Sequence, residues 1–348
     1  MKVTRRTVGG LALGALAGLA ARPAAAESKG KVYFLIPDSG GPFYPTSAKV
    51  EASFLQQIGY ELITLDATNK SDLQLNQVDN VINLRPKAII VAAVDYDAIV
   101  PGIEKAKAAG IPVIAFDREI KSTKLDFTSV AGTLDIGHTA ADEAARLLKE
   151  RKGAVKGKIL QIMGDPGDSY SISVGKGFGE KMVAFPDVTI ITKPTPQWEP
   201  TTAGSTAQDQ LQANPDIDLI FYHSGYLAAA VASSLEAVGK KPGDILCLDA
   251  DGDPGGLAQI RSGWQQVAVE APMYAQVLAV AEVLEQILAQ QPLKAGTYQI
   301  LGLPSVLTIE PWGPNIKIPG NVVTRANVDD PVHWANGNVP DVKVNPLI

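Results

Sequence analysis

Cysteine and histidine are scarce in this sequence. Cys247 is the only cysteine, so no disulfide can form within the chain, and its apolar neighbours predict a buried strand residue rather than a reactive thiol. The three histidines, His138, His223 and His333, are far apart, without metal-ligand spacing and without a serine or cysteine elbow beside them. The sequence therefore predicts no metal site, no cofactor and no catalytic residue.

A long hydrophobic run occurs at the N-terminus and nowhere after residue 27. Arg5 and Arg6 precede an apolar run at 8–21, which is short for a membrane span and is followed by three alanines at 24–26. This pattern is typical of a signal peptide over residues 1–26, with cleavage after Ala26. The paired arginines favour the twin-arginine route over the general secretory route. We therefore expect a protein exported to the periplasm, with no membrane-inserted segment after cleavage.

Basic residues are outnumbered in the rest of the chain. Four of the 31 Lys and Arg residues lie in 1–26, which has no acidic residue, so 27 remain against 37 Asp and Glu and the net charge is about −10. Such an acidic chain lacks the electrostatic footprint of a nucleic-acid-binding protein and is repelled by anionic lipid. The remaining length of about 320 residues exceeds what one hydrophobic core usually serves, so two domains are expected.

Short apolar runs alternate with amphipathic stretches from residue 31 onwards. The runs are nearly continuous in apolar residues, which is typical of parallel strands buried on both faces. The stretches between them carry apolar residues at helical spacing, so the chain is predicted to be a series of βα units. The predicted strands are 32–36, 61–65, 88–92, 112–116, 158–163, 188–192, 219–222, 245–248 and 267–269.

Two positions interrupt the βα pattern and are interpreted as crossings between lobes. A short strand-like stretch with a glycine at 127–132 follows four complete βα units, and 270–272 precedes the last long helix. We therefore predict an α/β fold with two similar lobes, each a parallel sheet flanked by helices, joined by a multi-strand hinge. The predicted N-terminal lobe is 27–130 plus 271–300, and the predicted C-terminal lobe is 131–270. Residues 301–348 are rich in proline without helical periodicity, and are predicted to be irregular structure that packs on the lobes.

Polar and aromatic residues follow most of the predicted strands. In open parallel sheets these positions lie together at one edge, where ligands bind. Carboxylates and aromatic rings recur there and suit a sugar or polyol, because carboxylates accept hydrogen bonds from hydroxyls and aromatic faces cover the C–H side of a ring. The candidate ligand-binding residues are Phe43, Tyr44, Asp117, Arg118, Trp198, Ser224, Asp249 and Glu270.

Two other kinds of site fit the sequence less well. A dinucleotide site needs Gly-x-Gly-x-x-Gly after the first strand, where the chain instead has bulky residues at 42–44. The Asp-x-Asp-x-Asp stretch at 249–253 is similar to the start of a calcium loop, but Pro254 and Ile260 stand where its Gly and Glu belong. An exported sugar oxidoreductase with a nucleotide cofactor and a receptor for a cationic small molecule are kept as alternatives.

The chain resembles the ribose-binding-protein group of periplasmic sugar receptors over most of residues 31–300. The likeness is carried by Gly-Pro-Phe-Tyr at 41–44, Pro-Val-Ile-Ala-Phe-Asp-Arg at 112–118, Gly-Lys-Gly-Phe at 175–178 and Leu-Asp-Ala-Asp-Gly at 248–252. The resemblance implies a type I periplasmic binding protein fold. It also implies a monomeric, non-enzymatic receptor that closes on a sugar or polyol and delivers it to the membrane permease of an ABC importer.

The resemblance also implies roles for individual residues. Rings of Phe43, Tyr44 and Trp198 would sandwich the sugar, while Asp117, Arg118 and Asp249 would bind its hydroxyls and Glu270 would take a hinge-side position. Three family residues are replaced, because Gly41 and Ser224 stand for asparagines and Val174 stands for an arginine. The identity of the sugar therefore does not follow. Since acids outnumber bases among the candidate residues, the ligand is expected to be neutral or cationic rather than a uronate or a sugar phosphate.

Overall fold

The computed structural model describes residues 28–347, which form two β-sheets with helices packed around them. The predicted signal peptide lies outside the described residues. The first elements in the chain are β1 (Gly30–Ile36), α1 (Phe43–Gln57), β2 (Tyr60–Asp66), α2 (Ser71–Asn83), β3 (Ala88–Val91), α3 (Val100–Ala108), β4 (Val113–Phe116) and β5 (Phe127–Ala131). They are followed by α4 (Thr133–Lys152), β6 (Gly157–Ile162), α5 (Ser169–Met182), β7 (Val188–Lys193), α6 (Pro200–Ala213), β8 (Ile217–Tyr222), α7 (Ala228–Ala237), β9 (Leu246–Asp249), α8 (Pro254–Ser262) and β10 (Val267–Glu270). The last are α9 (Met273–Leu288), β11 (Gly296–Ile300), β12 (Leu303–Glu310), β13 (Gly313–Ile318) and β14 (Asn321–Thr324).

The larger sheet has eight strands in the order β11-β12-β13-β5-β4-β3-β1-β2. The strands from β2 to β5, together with β13, are parallel, and β12 and β11 complete the sheet as antiparallel strands. Every residue of β3 and β4 is buried, as expected for central strands of a sheet covered on both faces. We call this sheet, with α1, α2, α3 and α9, the first lobe.

The smaller sheet has six strands in the order β14-β10-β9-β8-β6-β7, and it is parallel apart from β14. With α4 to α8 it forms the second lobe. Helices α4 and α5 pack against each other closely through Gly137 and Gly177. A Cβ atom at Gly137 would lie 2.3 Å from the Val174 carbonyl oxygen, and one at Gly177 would lie 2.2 Å from the Leu134 carbonyl oxygen. The glycines at 175–178 thus include one that helix packing requires.

The sequence-based fold prediction is confirmed. Each of the nine predicted strands overlaps an observed strand from β1 to β4 or from β6 to β10, and the stretch at 127–132 contains β5. The continuous apolar runs are the reason, because a strand buried on both faces has no polar positions to alternate with. The two sheets flanked by helices have the expected two-lobed α/β architecture.

The prediction of irregular structure for residues 301–348 is wrong for 303–324. These residues form β12, β13 and β14, which add to both sheets. Ile316 and Ile318 of β13 are fully buried in the first-lobe core. Pro304 and Pro314 are second residues of their strands, so they mark strand ends rather than exclude strands.

Between β5 and β14 the chain passes between the lobes three times, at 131–133, 270–273 and 318–321. The first two crossings lie where the sequence places them, whereas the third was not predicted because it joins the unexpected strands β13 and β14. The exact residue ranges of the two lobes stay a prediction. Within residues 28–347, none of the helices combines the length and apolarity that a membrane crossing requires.

Candidate ligand-binding site

A cavity of about 200 Å³ lies between the two lobes. Its walls come from the segments that follow the carboxyl ends of β1, β2, β4, β6, β7, β8 and β9, as the rule for open parallel sheets predicts. Six of the eight candidate residues line it, namely Phe43, Tyr44, Asp117, Arg118, Trp198 and Ser224. Residues from both lobes therefore line one cavity.

Tyr44 and Asp117 form part of the first-lobe wall. The Tyr44 hydroxyl donates a hydrogen bond to Asp117 Oδ2 at 2.7 Å, and the Arg118 guanidinium lies 5.5 Å from the centre of the Tyr44 ring. Asp117 has a left-handed backbone with φ of 64°, a conformation that non-glycine residues seldom adopt and that is enriched at functional sites. Burial raises the pKa of Asp117 to about 6, and the nearby Asp168 adds to the rise.

Arg118 joins the lobes. Its Nη1 donates to the Ala93 carbonyl oxygen at 2.7 Å within the first lobe, and its Nη2 lies 2.8 Å from Asp168 Oδ2 in the second lobe. Within residues 28–347, no hydrogen-bond partner is found for Arg118 Nε or for the Tyr170 hydroxyl, although both atoms are buried. Both residues line the cavity, and the two atoms are donors buried in its wall.

Trp198 forms part of the second-lobe wall, in a one-turn 3₁₀ helix at Pro196–Trp198. Its ring lies on Gly164, where a Cβ atom would come within 2.1 Å of the ring, so glycine is needed for the ring to occupy this position. The indole Nε1 donates to Asp168 Oδ2 at 3.1 Å. Asp168 also accepts from the Tyr170 N–H and so caps the start of α5. One carboxylate therefore positions the arginine, the tryptophan and a helix.

Ser224 lies between two carboxyl groups of the second lobe. Its Oγ is 2.9 Å from Asp251 Oδ2 and 3.4 Å from Asp253 Oδ2, and the single hydroxyl proton can be donated to only one of them. Burial raises the pKa of Asp251 well above its usual value and that of Asp253 to about 7, with neighbouring aspartates adding to both. With a pKa of about 7, the Asp253 carboxyl is partly protonated near neutral pH and can donate as well as accept hydrogen bonds, which suits hydroxyl ligands.

Asp249 and Glu270 do not line the cavity, contrary to the sequence-based assignment. Asp249 accepts hydrogen bonds from the N–H groups of Asp251 (2.9 Å) and Gly252 (2.7 Å), and from the Gln265 amide. It therefore shapes the loop after β9. Glu270 accepts from His333 Nδ1 at 2.8 Å and from the Trp334 N–H at 3.0 Å, on the side of the C-terminal tail. Both carboxylates are already engaged by the protein.

Several residues of the cavity are absent from the candidate set. They include Asp38, Asp168, Tyr170, Tyr226, Asp251 and Asp253. Most of them occur in the same strand-end segments as the candidates, so the strand-end rule could have found them. Choosing among several polar residues of one loop requires the loop conformation, which the sequence pattern does not contain.

Residues 32–292 match a known protein family, which is described as the periplasmic binding protein domain. This region is well over half of the chain and contains both lobes apart from the last four strands. The chain belongs to the periplasmic binding protein family. The sequence-based family prediction is confirmed.

Two relatives of this periplasmic binding protein are import receptors. It is 29% identical to the ribose import binding protein of Bacillus subtilis, over 63% of this chain and 69% of the relative. It is 25% identical to the D-apiose import binding protein of Actinobacillus succinogenes, over 67% of this chain and 74% of the relative. Both are binding proteins rather than enzymes, so the oxidoreductase alternative is not favoured.

Solved structures share the fold of this periplasmic binding protein. A carbohydrate transporter solute binding protein from Agrobacterium radiobacter, in complex with D-arabinose, superposes with a TM-score of 0.77 at 18% identity, covering 90% of this chain and 99% of that chain. The Caulobacter myo-inositol binding protein gives a TM-score of 0.75 at 22% identity, covering 92% and 99%. The type I fold predicted from the sequence is thereby confirmed.

Proposed function

We propose that this periplasmic binding protein is the sugar or polyol receptor of an ABC importer, and that its ligand binds in the cavity between the lobes. The observation that carries the proposal is the composition of the cavity. Phe43 and Tyr44 from one lobe and Trp198 from the other provide aromatic faces, and the polar groups of the lining are hydroxyls, carboxyls, two amides and one guanidinium. Such a mixture binds the apolar faces and the hydroxyls of a sugar together.

Each polar group has a proposed role. Arg118 Nε and the Tyr170 hydroxyl are buried donors for ligand oxygens. Asp117, Asp168 and Asp251 offer carboxyl oxygens at the wall of the cavity. Receptors named for ribose and D-apiose among the relatives support a small polyhydroxylated ligand. Asp249 and Glu270 are left out of the proposed contact set, because they are not among the residues that line the cavity.

The proposed setting is the periplasm, with the membrane permease of the importer as partner. The sequence predicts export and cleavage after Ala26, and the relatives are import binding proteins. We propose a monomeric receptor without catalytic activity, because both lobes contribute to one cavity within a single chain. Closure of the lobes around the ligand is the signal that a permease can recognise.

The test is a binding panel on the purified protein. D-ribose, D-arabinose, D-apiose, xylitol and myo-inositol are added in turn, with thermal shift and isothermal calorimetry as readouts. At least one should raise the melting temperature by mass action, and small-angle scattering should then show a more compact particle on saturation. Unchanged dimensions on saturation would contradict closure of the lobes on the ligand. Binding of nucleotides, with every sugar and polyol inert, would contradict the proposal.

A further inference from the structure

The C-terminal tail runs from the second lobe to the first lobe beside the second crossing. Val328 packs with Leu257 of α8 in a second-lobe cluster, and Arg261 Nε of the same helix donates to Asp329 Oδ1 at 2.8 Å. Only a few residues later, Trp334 is part of the first-lobe core. All these tail residues lie beyond the region 32–292 that matches the family. The tail is thus a fourth link between the lobes.

Glu270 fixes this link at the hinge. It is the last residue of β10, directly before the second crossing, and only 2% of it is exposed. Its Oε2 is 2.8 Å from His333 Nδ1, and its Oε1 accepts the Trp334 N–H at 3.0 Å. Asn321, at the third crossing, places its amide 3.4 Å from the same carboxylate. The carboxylate therefore holds the tail against two crossings at once.

The protonation of His333 makes this contact an ion pair. Its Nδ1 faces the Glu270 carboxylate, and its Nε2 lies 3.1 Å from the Asn327 carbonyl oxygen. A carbonyl oxygen only accepts, and a carboxylate only accepts, so both ring nitrogens must donate and the ring carries a positive charge. Charge-assisted hydrogen bonds of this kind are stronger and more directional than neutral ones. The position of residues 333 and 334 is therefore fixed closely.

Trp334 transmits this position to the cavity. Its ring meets the Phe43 ring edge to face, with centroids 5.7 Å apart and planes at 90°, and its carbonyl oxygen accepts the Tyr274 hydroxyl at 3.2 Å. Phe43 in turn lines the cavity and contacts Tyr44 with centroids 5.3 Å apart. The Phe43 ring also lies beside the Phe116 ring, with centroids 6.3 Å apart. Packing against these neighbouring rings therefore sets the direction of the Phe43 ring.

We propose that Glu270, His333 and Trp334 are positioning residues of the ligand site, which hold the Phe43 ring at the cavity wall without touching the ligand. The inference rests on the proposed function, because the ring matters only if the cavity binds a ligand. An edge-to-face aromatic pair contributes enough that its loss should weaken binding roughly two- to tenfold. Ligand affinity then depends on a tail that lies outside the family match.

The test follows the Phe43 ring directly by fluorine NMR of the whole protein labelled with 4-fluorophenylalanine. The chain has eight phenylalanines, and the Phe43 resonance is assigned by its loss in Phe43→Leu. Affinity is measured in parallel by calorimetry, with the tightest binder of the panel D-ribose, D-arabinose, D-apiose, xylitol and myo-inositol as probe. The resonance reports the ring position whether or not a probe binds.

Two variants break the proposed link and two serve as comparisons. Glu270→Ala removes the acceptor for His333 and Trp334, and Trp334→Leu removes the ring, with Trp334→Phe as a milder substitute if the leucine variant does not fold. Glu270→Gln should fall between the wild-type protein and Glu270→Ala, because its amide oxygen still accepts the Trp334 N–H while the charge-assisted bond to His333 is lost. Gln57→Ala is the matched control, since Gln57 bonds the tail at Val342 and Val344, away from the contacts of Glu270.

The expected result is a displaced Phe43 resonance in Glu270→Ala, and a probe affinity roughly two- to tenfold weaker in both disrupting variants, with neither effect in Gln57→Ala. Only Glu270→Ala is used to read the ring position, because loss of the Trp334 ring current shifts the resonance by itself. An unmoved resonance in folded Glu270→Ala overturns the inference, and so does a moved resonance with unchanged affinity. If no sugar or polyol binds the wild-type protein, the proposed function fails, while the resonance still decides whether the tail braces Phe43.

Discussion

Arg118 and Asp168 form a buried ion pair across the cleft, with Nη2 of the first-lobe arginine 2.8 Å from Oδ2 of the second-lobe aspartate. Only 5% and 2% of their side chains are exposed. Burial raises the pKa of Asp168, and the arginine counteracts the rise. The same aspartate accepts the Trp198 indole N–H. The contact between the lobes and the position of the Trp198 ring therefore depend on one carboxylate.

Asp168→Asn should therefore favour the open form. Asparagine still caps α5, but it leaves Arg118 buried without its counter-ion whenever the lobes close. Truncating one partner of a buried charge pair costs roughly 2–5 kcal/mol, and we expect this loss in ligand affinity. Small-angle scattering of the ligand-free variant should give a larger radius of gyration, with calorimetry for the affinity.

Asp79→Asn is the matched control for this variant. It breaks an ion pair with Lys105 within the first lobe. The side chains of Asp79 and Lys105 are 42% and 56% exposed. Exposed pairs contribute less than about 1 kcal/mol, so dimensions and affinity should stay at wild-type values. Equal effects of the two variants would show that the cleft pair has no special part in closure.

Trp198→Ala should weaken ligand binding by about 1–3 kcal/mol, because a large buried aromatic contact is lost. Gly164→Ala should weaken binding by a similar route while keeping the tryptophan, since the added Cβ atom would lie 2.1 Å from the ring and displace it. Calorimetry with a panel ligand measures both. Gly179→Ala is the control, because nothing lies within 4 Å of a Cβ atom there. A Gly164→Ala variant with wild-type affinity would rule out Trp198 as the platform.

Anionic sugars should bind far more weakly than neutral ones. Asp117, Asp168 and Asp251 line the cavity, and Arg118, the basic residue among the described lining residues, is already paired. Carboxylates that are ionised repel an anion, but burial raises the pKa of all three and that of Asp117 to about 6, so we expect at least about a tenfold preference for the neutral member of each pair at about pH 8. D-ribose against ribose 5-phosphate and D-glucose against D-glucuronate are compared by calorimetry. Micromolar binding of the anions alone would contradict this prediction.

His223 should make the protein sensitive to acid. It is fully buried, with Nε2 2.9 Å from the Gln161 amide nitrogen and Nδ1 3.3 Å from Ser171 Oγ, and burial lowers its pKa to about 3. The unfolded chain takes up the proton first, near its ordinary pKa of about 6.5. The stabilisation is therefore complete above about pH 6.5 and is lost as the pH falls towards 3, by about 3 kcal/mol at pH 4.5.

Urea unfolding at pH 7 and pH 4.5 measures this loss, with His223→Gln as the comparison. Glutamine does not titrate in this range, so the variant should lose about 3 kcal/mol less than the wild-type protein between the two pH values. A difference of less than about 1 kcal/mol between the two losses would show that His223 is not a main source of acid sensitivity.

The strands and the position of the cavity between the lobes could be predicted from local features of the sequence. Runs such as the four buried residues of β3 predict parallel strands wherever they occur, because apolar residues on both faces need cover on both faces. The carboxyl ends of parallel strands share one edge, so residues as distant in sequence as Phe43, Asp117 and Trp198 could be expected to meet. Six of the eight candidate residues line the cavity, and each was chosen only by its position after a predicted strand.

Selection among neighbours within one loop required the tertiary structure. Asp249 and Asp251 are equivalent in the sequence pattern, but Asp249 turns away from the cavity to hold the loop, while Asp251 faces it. The turn depends on Gly252, which has φ of 67° and packs so closely on Glu270 that a Cβ atom would lie 2.9 Å from its Cα. Such packing is a property of the assembled sheet rather than of the loop sequence.

The structure of the C-terminal tail depends on contacts that the local sequence pattern does not contain. Alternation in β12 and buried isoleucines in β13 are weak signals that become strands only because the open edge of β5 offers hydrogen-bond partners. The sequence predicts Glu270 to be a ligand contact, because its actual partner His333 lies 63 residues further along the chain and cannot be inferred from the neighbouring residues. Apolar periodicity thus determined the two lobes and their shared edge. The path of the tail determined which carboxylates face the ligand cavity and which hold the hinge, because those contacts join residues that only the folded chain brings together.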